Sequence, residues 1–381
     1  MNVGVMSDRT SHESRVCLAP AAVSNLILRG HRVLVESGAG ARARFGDEDY
    51  QRSGARILYD REELIGRSDL VVKVSPLQPA DAEMLKERQT VLAFHHLAAA
   101  RRDLVETLRG RGCTLIGFEV IEDARGDLPI LRSMSEIAGQ LAVHVAAHSL
   151  ETREGGRGIL LGGATGIPAA HVVILGAGTV GLWAARTAMG NGAQVTLLDS
   201  RIHALRRAGD ALGRGAVTEL ADERSIGRAA GFADVLIGAV LVKGERSPHL
   251  VTREMVAAMK PGSVIVDVSI DQGGCVETSR PTTLEDPIYV ESGVTHYAVP
   301  NMTSAVARTA SLAVSHACLP FARAIADMGV DLALRDVPGL AAGVYAYRGE
   351  MVLEGAARSF SMGCQSLREL LGLPEGGGLG T

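Results

Sequence analysis

Aromatic side chains are scarce in this sequence, 3% of 381 residues, and no excess of basic residues offsets the acidic ones: Lys and Arg total 39 against 43 Asp and Glu, a formal net charge of -4. Nucleic-acid binding needs cations gathered on one surface and, for single strands, aromatic faces for the bases, so no nucleic-acid partner is expected. No apolar run approaches the roughly 18 to 20 residues of a membrane helix. Asp8 and Arg9 interrupt the amino-terminal stretch before a signal-peptide core forms, so no membrane partner and a cytoplasmic location are expected. The five cysteines, Cys17, Cys113, Cys275, Cys318 and Cys364, are odd in number, widely spread and without a CxxC pair. Reduced thiols in buried or incidental roles follow from that pattern, not a disulfide framework or thiol catalysis. No solenoid-type repeat occurs.

What is present is an aliphatic, globular composition, 46% hydrophobic and 22% charged. The length suits two domains of about 150 residues with connections. In the first half, apolar runs read as strands at Asn2 to Met6, Arg32 to Glu36, Asp69 to Ser75, Thr90 to Leu97 and Thr114 to Val120. Between them lie helical segments, one opened by Pro20 and closed by Gly30, another over Arg101 to Arg109. This alternation predicts parallel βαβ units buried on both faces. SMSEIAGQLAVHVAAHSLET then keeps helical spacing and opens on a capping-box pattern, Ser133 to Glu136, which predicts a long helix crossing between domains. Glu154 to Pro168 is glycine-rich and reads as a loop. A second βαβ series runs from His171 to about Pro300, and an apolar helix over Ser304 to Asp327, with Pro320 inside, returns the chain to the first domain. The tail EGGGLGT reads as frayed. The fold class is therefore α/β: two Rossmann-like domains with mostly parallel sheets, joined by long interdomain helices.

The most informative motif is the strand HVVIL, then Gly176-Ala177-Gly178-Thr179-Val180-Gly181, a helix from Leu182, the strand QVTLLD and its terminal Asp199. Gly176 permits a tight turn and Gly178 lets the backbone approach a pyrophosphate. Gly181 lets helix and strand pack closely. Asp199 suits a ribose hydroxyl and repels a 2'-phosphate, which favours NAD over NADP.

Hydride transfer also needs an anchor for the substrate's charged group and a proton carrier, both expected beyond the carboxyl ends of the strands. Arg15 can clamp a carboxylate bidentately, or be an ordinary paired arginine. His95 and His96 sit in one expected strand on opposite faces, and position alone does not choose between them. Asp271 closes the apolar run SVIVDVSI beside Gly273-Gly274, with Asp267 as the buried alternative. His144 and His148 have the spacing of a metal pair but no evident third ligand, so packing is the expected role and no metal is expected.

Several stretches resemble alanine dehydrogenase in order and spacing from Asn2 to roughly Asp327: SRVCLAPAAVSNLILRGHRVLVESGAG, HHLAA, MSEIAGQLA, ILGAGTVG, IGAVLV, DVSIDQGGC, SRPTT and VPNMTSAV. The resemblance implies oxidative deamination of a small amino acid with NAD, Arg15 on the substrate carboxylate, and His96 and Asp271 in acid–base chemistry. It also implies NAD contacts at Ser135, Thr179, Val180, Asp199, Val240, Leu241, Val268, Ser269, Ile270, Asp271, Arg280, Val299, Pro300, Asn301 and Met302. A substrate domain over 1–132 plus 305–381, a dinucleotide domain over 133–304 and a homo-oligomer, hexameric in the family, are expected from it. The family's second strand lysine falls here on Ser75, while Lys73 is present. Lys73 either reaches inward to replace the missing ammonium or keeps a structural role. That strand is closer to the proton-translocating transhydrogenase alpha subunit, so two alternatives stand beside alanine: a different amino or 2-oxo acid, or a transhydrogenase-type NAD-binding subunit.

Overall fold

A computed structural model describes residues 1–9, 12–97, 100–241 and 246–373. The chain divides into two compact units, Met1–Met134 with Val306–Thr381, and Ser135–Ala305. The tail 375–381 lies outside the described residues.

The first unit holds an eight-stranded sheet. Its strands are β1 (Asn2–Val5), β2 (Arg32–Glu36), β3 (Arg56–Leu58), β4 (Leu70–Val72), β5 (Thr90–Ala93) and β6 (Thr114–Gly117). The second unit contributes β7 (His171–Leu175), β8 (Gln194–Asp199), β9 (Ala216–Leu220), β10 (Val235–Gly238), β11 (Val264–Asp267), β12 (Ile288–Glu291) and β13 (Val294–Tyr297), and the chain returns to the first sheet with β14 (Val344–Tyr347) and β15 (Glu350–Met351). The orders are β15-β14-β6-β5-β4-β1-β2-β3 and β12-β13-β11-β10-β7-β8-β9. Neighbours are parallel except the edge pairs β6 with β14, β14 with β15, and β12 with β13. Val, Leu and Ile on β4, β5, β10 and β11 are buried throughout, as strands covered on both faces must be.

In each sheet the chain starts in the middle, builds outward on one side, then jumps to the other. The reversals fall at β1 and at β7, and such switch points open a crevice at the carboxyl ends of the strands. The long helix Pro129–Ser149 starts in the first unit and ends in the second, and the helix Ala307–Met328 lies in the first with Pro320 inside it.

Several expected boundaries shift. The strands after Asp69 and Thr90 end at Val72 and Ala93, so His95 and His96 do not alternate across a strand. Their amides go instead to the Glu119 carboxylate, a side-chain acceptor that competes with the ladder. Asp271 likewise sits in a short 3-10 turn, Val268–Gln272, because β11 stops at Asp267, whose carboxylate accepts from Ser269 N. The crossing helix starts at Pro129, with proline at its first position, so Ser133 is internal and its hydroxyl bonds Ile130 O rather than capping. The dinucleotide helix begins at Thr179, not Leu182. His144 and His148 do not pack: both are exposed, and His148 faces Glu151 and Glu154.

Candidate active site

Within the first unit, the loops after β1, β4, β5 and β6 carry the polar residues. Arg15 is buried, and its Nε and Nη2 donate to Glu13 Oε1 and Oε2 at 2.7 and 2.6 Å. The stretch beyond it is braced by the helix Ala307–Met328, where Ser311 and Ser315 hydroxyls accept from Val16 N and Ala19 N. Cys17 Sγ lies 3.4 Å from Cys318 Sγ as a free thiol pair, and burial pushes the Cys17 thiol far up. Of the other cysteines, Cys113 and Cys275 are buried and Cys364 is exposed, all free.

Lys73 and Ser75 lie just past β4 and meet each other. The Lys73 ammonium pairs with Asp8, with Ser75 Oγ at 2.9 Å, and with the carbonyls of Ser75 and Pro76 at 3.3 Å. The Ser75 hydroxyl also bonds Asp8, whose other oxygen accepts from Ser75 N. An ammonium has three N–H bonds, and this cluster supplies oxygen acceptors for all of them. Both Lys73 and Asp8 side chains are 2% exposed.

His95 and His96 differ sharply. His95 is buried with Nε2 against Val91 O, and burial lowers its basicity, so it stays neutral. His96 has a 36% exposed side chain, a left-handed backbone at φ 46° and a ring stacked on Phe94 with centroids 5.9 Å apart. The Arg15 guanidinium carbon is 6.0 Å from the same Phe94 centroid, so the buried guanidinium and the accessible imidazole share one aromatic wall.

In the second unit the glycine turn divides by role. A Cβ on Gly176 would stand 2.3 Å from Ala239 O, and one on Gly181 would stand 1.8 Å from Gly176 O. Both are fixed by packing. A Cβ on Gly178 would meet nothing within 4 Å, so the chain leaves open space above this helix amino terminus. That is the cradle a pyrophosphate requires, and the glycine turn fits NAD on this count. Thr179 and Val180 form the first turn of the helix behind it.

Asp199 accepts from Ala177 N and Arg201 N, both at 2.8 Å, and pairs with the Arg201 side chain. Burial pushes its carboxyl up, but the bonds from Arg201 and the two amides outweigh it, and the group lies below the ordinary carboxylate range. Val240 N donates to Ser269 Oγ, joining the loops after β10 and β11, while Leu241 is exposed. Buried Asp267 accepts from Ser269 N, Cys275 N and Val276 N and so shapes the turn that holds Val268, Ile270 and exposed Asp271. Asp271 Oδ1 accepts from Asn301 N at 2.8 Å; Asn301 has φ 53° and lies between Pro300 and buried Met302, with Val299 also buried. Arg280 is exposed, its guanidinium 4.1 Å from the Tyr289 centroid. Ser135 is half-buried on the helix Pro129–Ser149. Among the described residues, no group of three or more His, Cys, Asp or Glu is arranged to hold a metal ion, and no helix is long and apolar enough to cross a membrane.

The sequence reading missed Asp8, Glu13, Glu119 and Tyr345. The only sequence signal for Glu13 is its spacing of two from Arg15. The other three acquire partners only through the fold.

Two family models match this chain: alanine dehydrogenase/PNT N-terminal domain over residues 4–138 and C-terminal domain over 142–354. An alanine dehydrogenase of Halomonas elongata is 42% identical over 98% of this chain and 100% of its own, and one of Bacillus subtilis is 42% identical over 94% of each. A solved L-alanine dehydrogenase superposes with a TM-score of 0.89 at 41% identity, covering 95% of this chain and 99% of that one. A transhydrogenase from Sinorhizobium meliloti gives 0.77 at 25% identity, covering 93% and 99%.

Proposed function

The chain belongs to the alanine dehydrogenase/PNT family, and from that premise we propose how its own side chains serve the NAD-dependent oxidative deamination of L-alanine to pyruvate and ammonia. The observation that carries the assignment of roles is that Arg15 and His96 both lie against the Phe94 ring. Arg15, its plane fixed by Glu13, holds the substrate carboxylate, since a planar guanidinium suits a planar anion. The first unit is then the substrate domain and the second the dinucleotide domain.

NAD, when bound, supplies the acceptor for the hydride that leaves the substrate's α carbon. The turn at Gly178 would hold its pyrophosphate and Asp199 its adenosine ribose, with Ser135, Thr179, Val180, Val240, Leu241, Arg280 and the segments 268–271 and 299–302 as the further residues that would hold it. His96 removes the proton that the substrate nitrogen must shed before the imine forms, passes it to solvent through its exposed edge, and, neutral again, takes one from the water that adds to the imine. Asp271 moves the proton that accompanies loss of ammonia from the carbinolamine. General acid–base groups contribute about 10²- to 10⁴-fold each, so the expected result for His96→Ala is a kcat lowered by about that factor.

Lys73 and Ser75 act through the Asp8 cluster, which shapes the floor beside the ligand and leaves the carboxylate to Arg15. The serine favours a second reading, that other small amino acids are also taken. NADH formation by the purified protein with L-alanine, glycine, L-serine and L-2-aminobutyrate tests both; binding of NADH without turnover of L-alanine defeats the first. Family membership also supports a cytoplasmic homohexamer, for which the mass of the purified protein in solution is the check.

A further inference from the structure

One carboxylate governs the backbone on which His96 stands. Glu119, two residues past β6, accepts His96 N at 2.6 Å and Tyr345 OH at 2.8 Å on Oε1, and His95 N at 3.3 Å on Oε2. All three partners are donors. A carboxylate suits them because it only accepts, whereas an amide in its place would turn an NH2 toward a donor. The group is nearly buried, 9% exposed, so water does not substitute freely for any of the three.

The result at His96 is a left-handed backbone, φ 46°, uncommon for any residue other than glycine and one that the surroundings must hold in place. Capture of two consecutive amides by one carboxylate is such a constraint. It turns the His96 ring onto Phe94 and leaves Nδ1 3.9 Å from Glu119 Oε1, too far for a hydrogen bond, so the control is exerted on the backbone. Tyr345, on β14, locks the carboxylate from the other side. Its ring lies against Gly117, where a Cβ would stand 2.3 Å from Tyr345 Cε2, so that position admits the ring only as glycine.

We propose that Glu119 is a positioning residue for His96, and that Tyr345 completes the device, so that the returning strand β14 serves the acid–base step. This rests on the reading of His96 as the proton carrier. It adds that the left-handed turn, and not the imidazole alone, sets the rate.

The test is steady-state kinetics with L-alanine, NADH titration by fluorescence and thermal unfolding for Glu119→Gln, Tyr345→Phe, His96→Asn and the double variant Glu119→Gln/His96→Asn. Expected are a kcat at least about tenfold lower for Glu119→Gln and about threefold lower for Tyr345→Phe, fractions of the 10²- to 10⁴-fold range of a full acid–base group, with KM for L-alanine and NADH affinity within about twofold. In the His96→Asn background, Glu119→Gln should cost nothing further, because residues acting through one group are not additive. If His96→Asn abolishes turnover while Glu119→Gln and Tyr345→Phe keep kcat within about twofold, the positioning role is wrong and the His96 assignment stands. Equal losses with and without His96 also overturn it. Full turnover by His96→Asn defeats the underlying reading instead. Should Glu119→Gln fail to fold, Tyr345→Phe, which keeps the ring and removes one donor, decides alone.

Discussion

Glu13 and Arg15 are joined through two separate contacts, and both side chains are only 3% exposed. A third bond, from Arg15 N to Glu13 Oε1 at 2.9 Å, ties the same carboxylate to the backbone. The guanidinium therefore has one orientation rather than a choice of rotamers. Glu13→Gln keeps the shape and removes the charge and one acceptor, so the clamp should loosen without touching the proton carriers. The expected result is a KM for L-alanine raised about tenfold with kcat little changed, the pattern of lost ground-state binding. Arg15→Lys, which loses the planar fork, should raise KM further.

Lys73 and Asp8 make the complementary case. Removing one partner of a buried ion pair leaves an uncompensated charge and costs about 3–5 kcal/mol. Lys73→Met and Asp8→Asn should each lose stability on that scale, and the double variant should recover part of it. Urea unfolding of the three variants measures this coupling. Single variants as stable as the parent, but with KM for L-alanine raised a hundredfold, would make Lys73 a ligand-binding group after all.

The glycines of the dinucleotide turn should separate by experiment. Gly181→Ala puts a Cβ 1.8 Å from a backbone oxygen, and Gly176→Ala adds a close approach at φ 107°, so both should unfold at markedly lower temperature. A Cβ at Gly178 meets nothing within 4 Å, so Gly178→Val should fold like the parent while binding NADH at least about tenfold more weakly, a loss of about 1.4 kcal/mol. Thermal unfolding paired with NADH titration reads both effects, and undiminished NADH binding by Gly178→Val would remove the pyrophosphate from this turn.

The contrast among these residues shows what a sequence reader can and cannot see. The α/β alternation and the GAGTVG turn were legible because period-2 and period-3.6 patterns and left-handed glycines are local properties. Strand ends were not: Lys73 to Ser75 and Phe94 to His96 look like continuing strands, and the amides of Lys73 and Phe94 do still bond Leu92 O and Val74 O, but those of Ser75, His95 and His96 go to Asp8 and Glu119, which arrive from distant positions. Glu119 itself carries no motif. Its importance comes from β6 lying beside β5, which sets it next to His95 and His96, and from β14 returning with Tyr345. The tie between the two histidines fell to resemblance because burial, which separates them in the structure, depends on that same turn.

Burial of neutral histidines gives the last prediction, on pH. His95 in the first unit and His296 in the second are both held below the ordinary imidazole value, chiefly by desolvation. Between their depressed native values and about 6.5, the unfolded chain binds protons that the folded chain does not. Stability contributed by each is thus fully present above that ordinary value and is lost as pH falls through the window toward the native one, with a slope of up to about 1.4 kcal/mol per pH unit for each histidine. Denaturant unfolding at pH 7.5 and 5.5 should show the midpoint falling on acidification. His296 bonds Thr278 and Val294 O, stacks on Tyr289 and has no part in the proposed proton chemistry, whereas His95 adjoins His96, so His296 is the cleaner probe. His296→Gln, which stays neutral throughout, should flatten the pH dependence relative to the parent even if its stability at pH 7.5 is lower. A His296→Gln midpoint that falls as steeply as the parent's would show that this imidazole is not protonated on unfolding in that range.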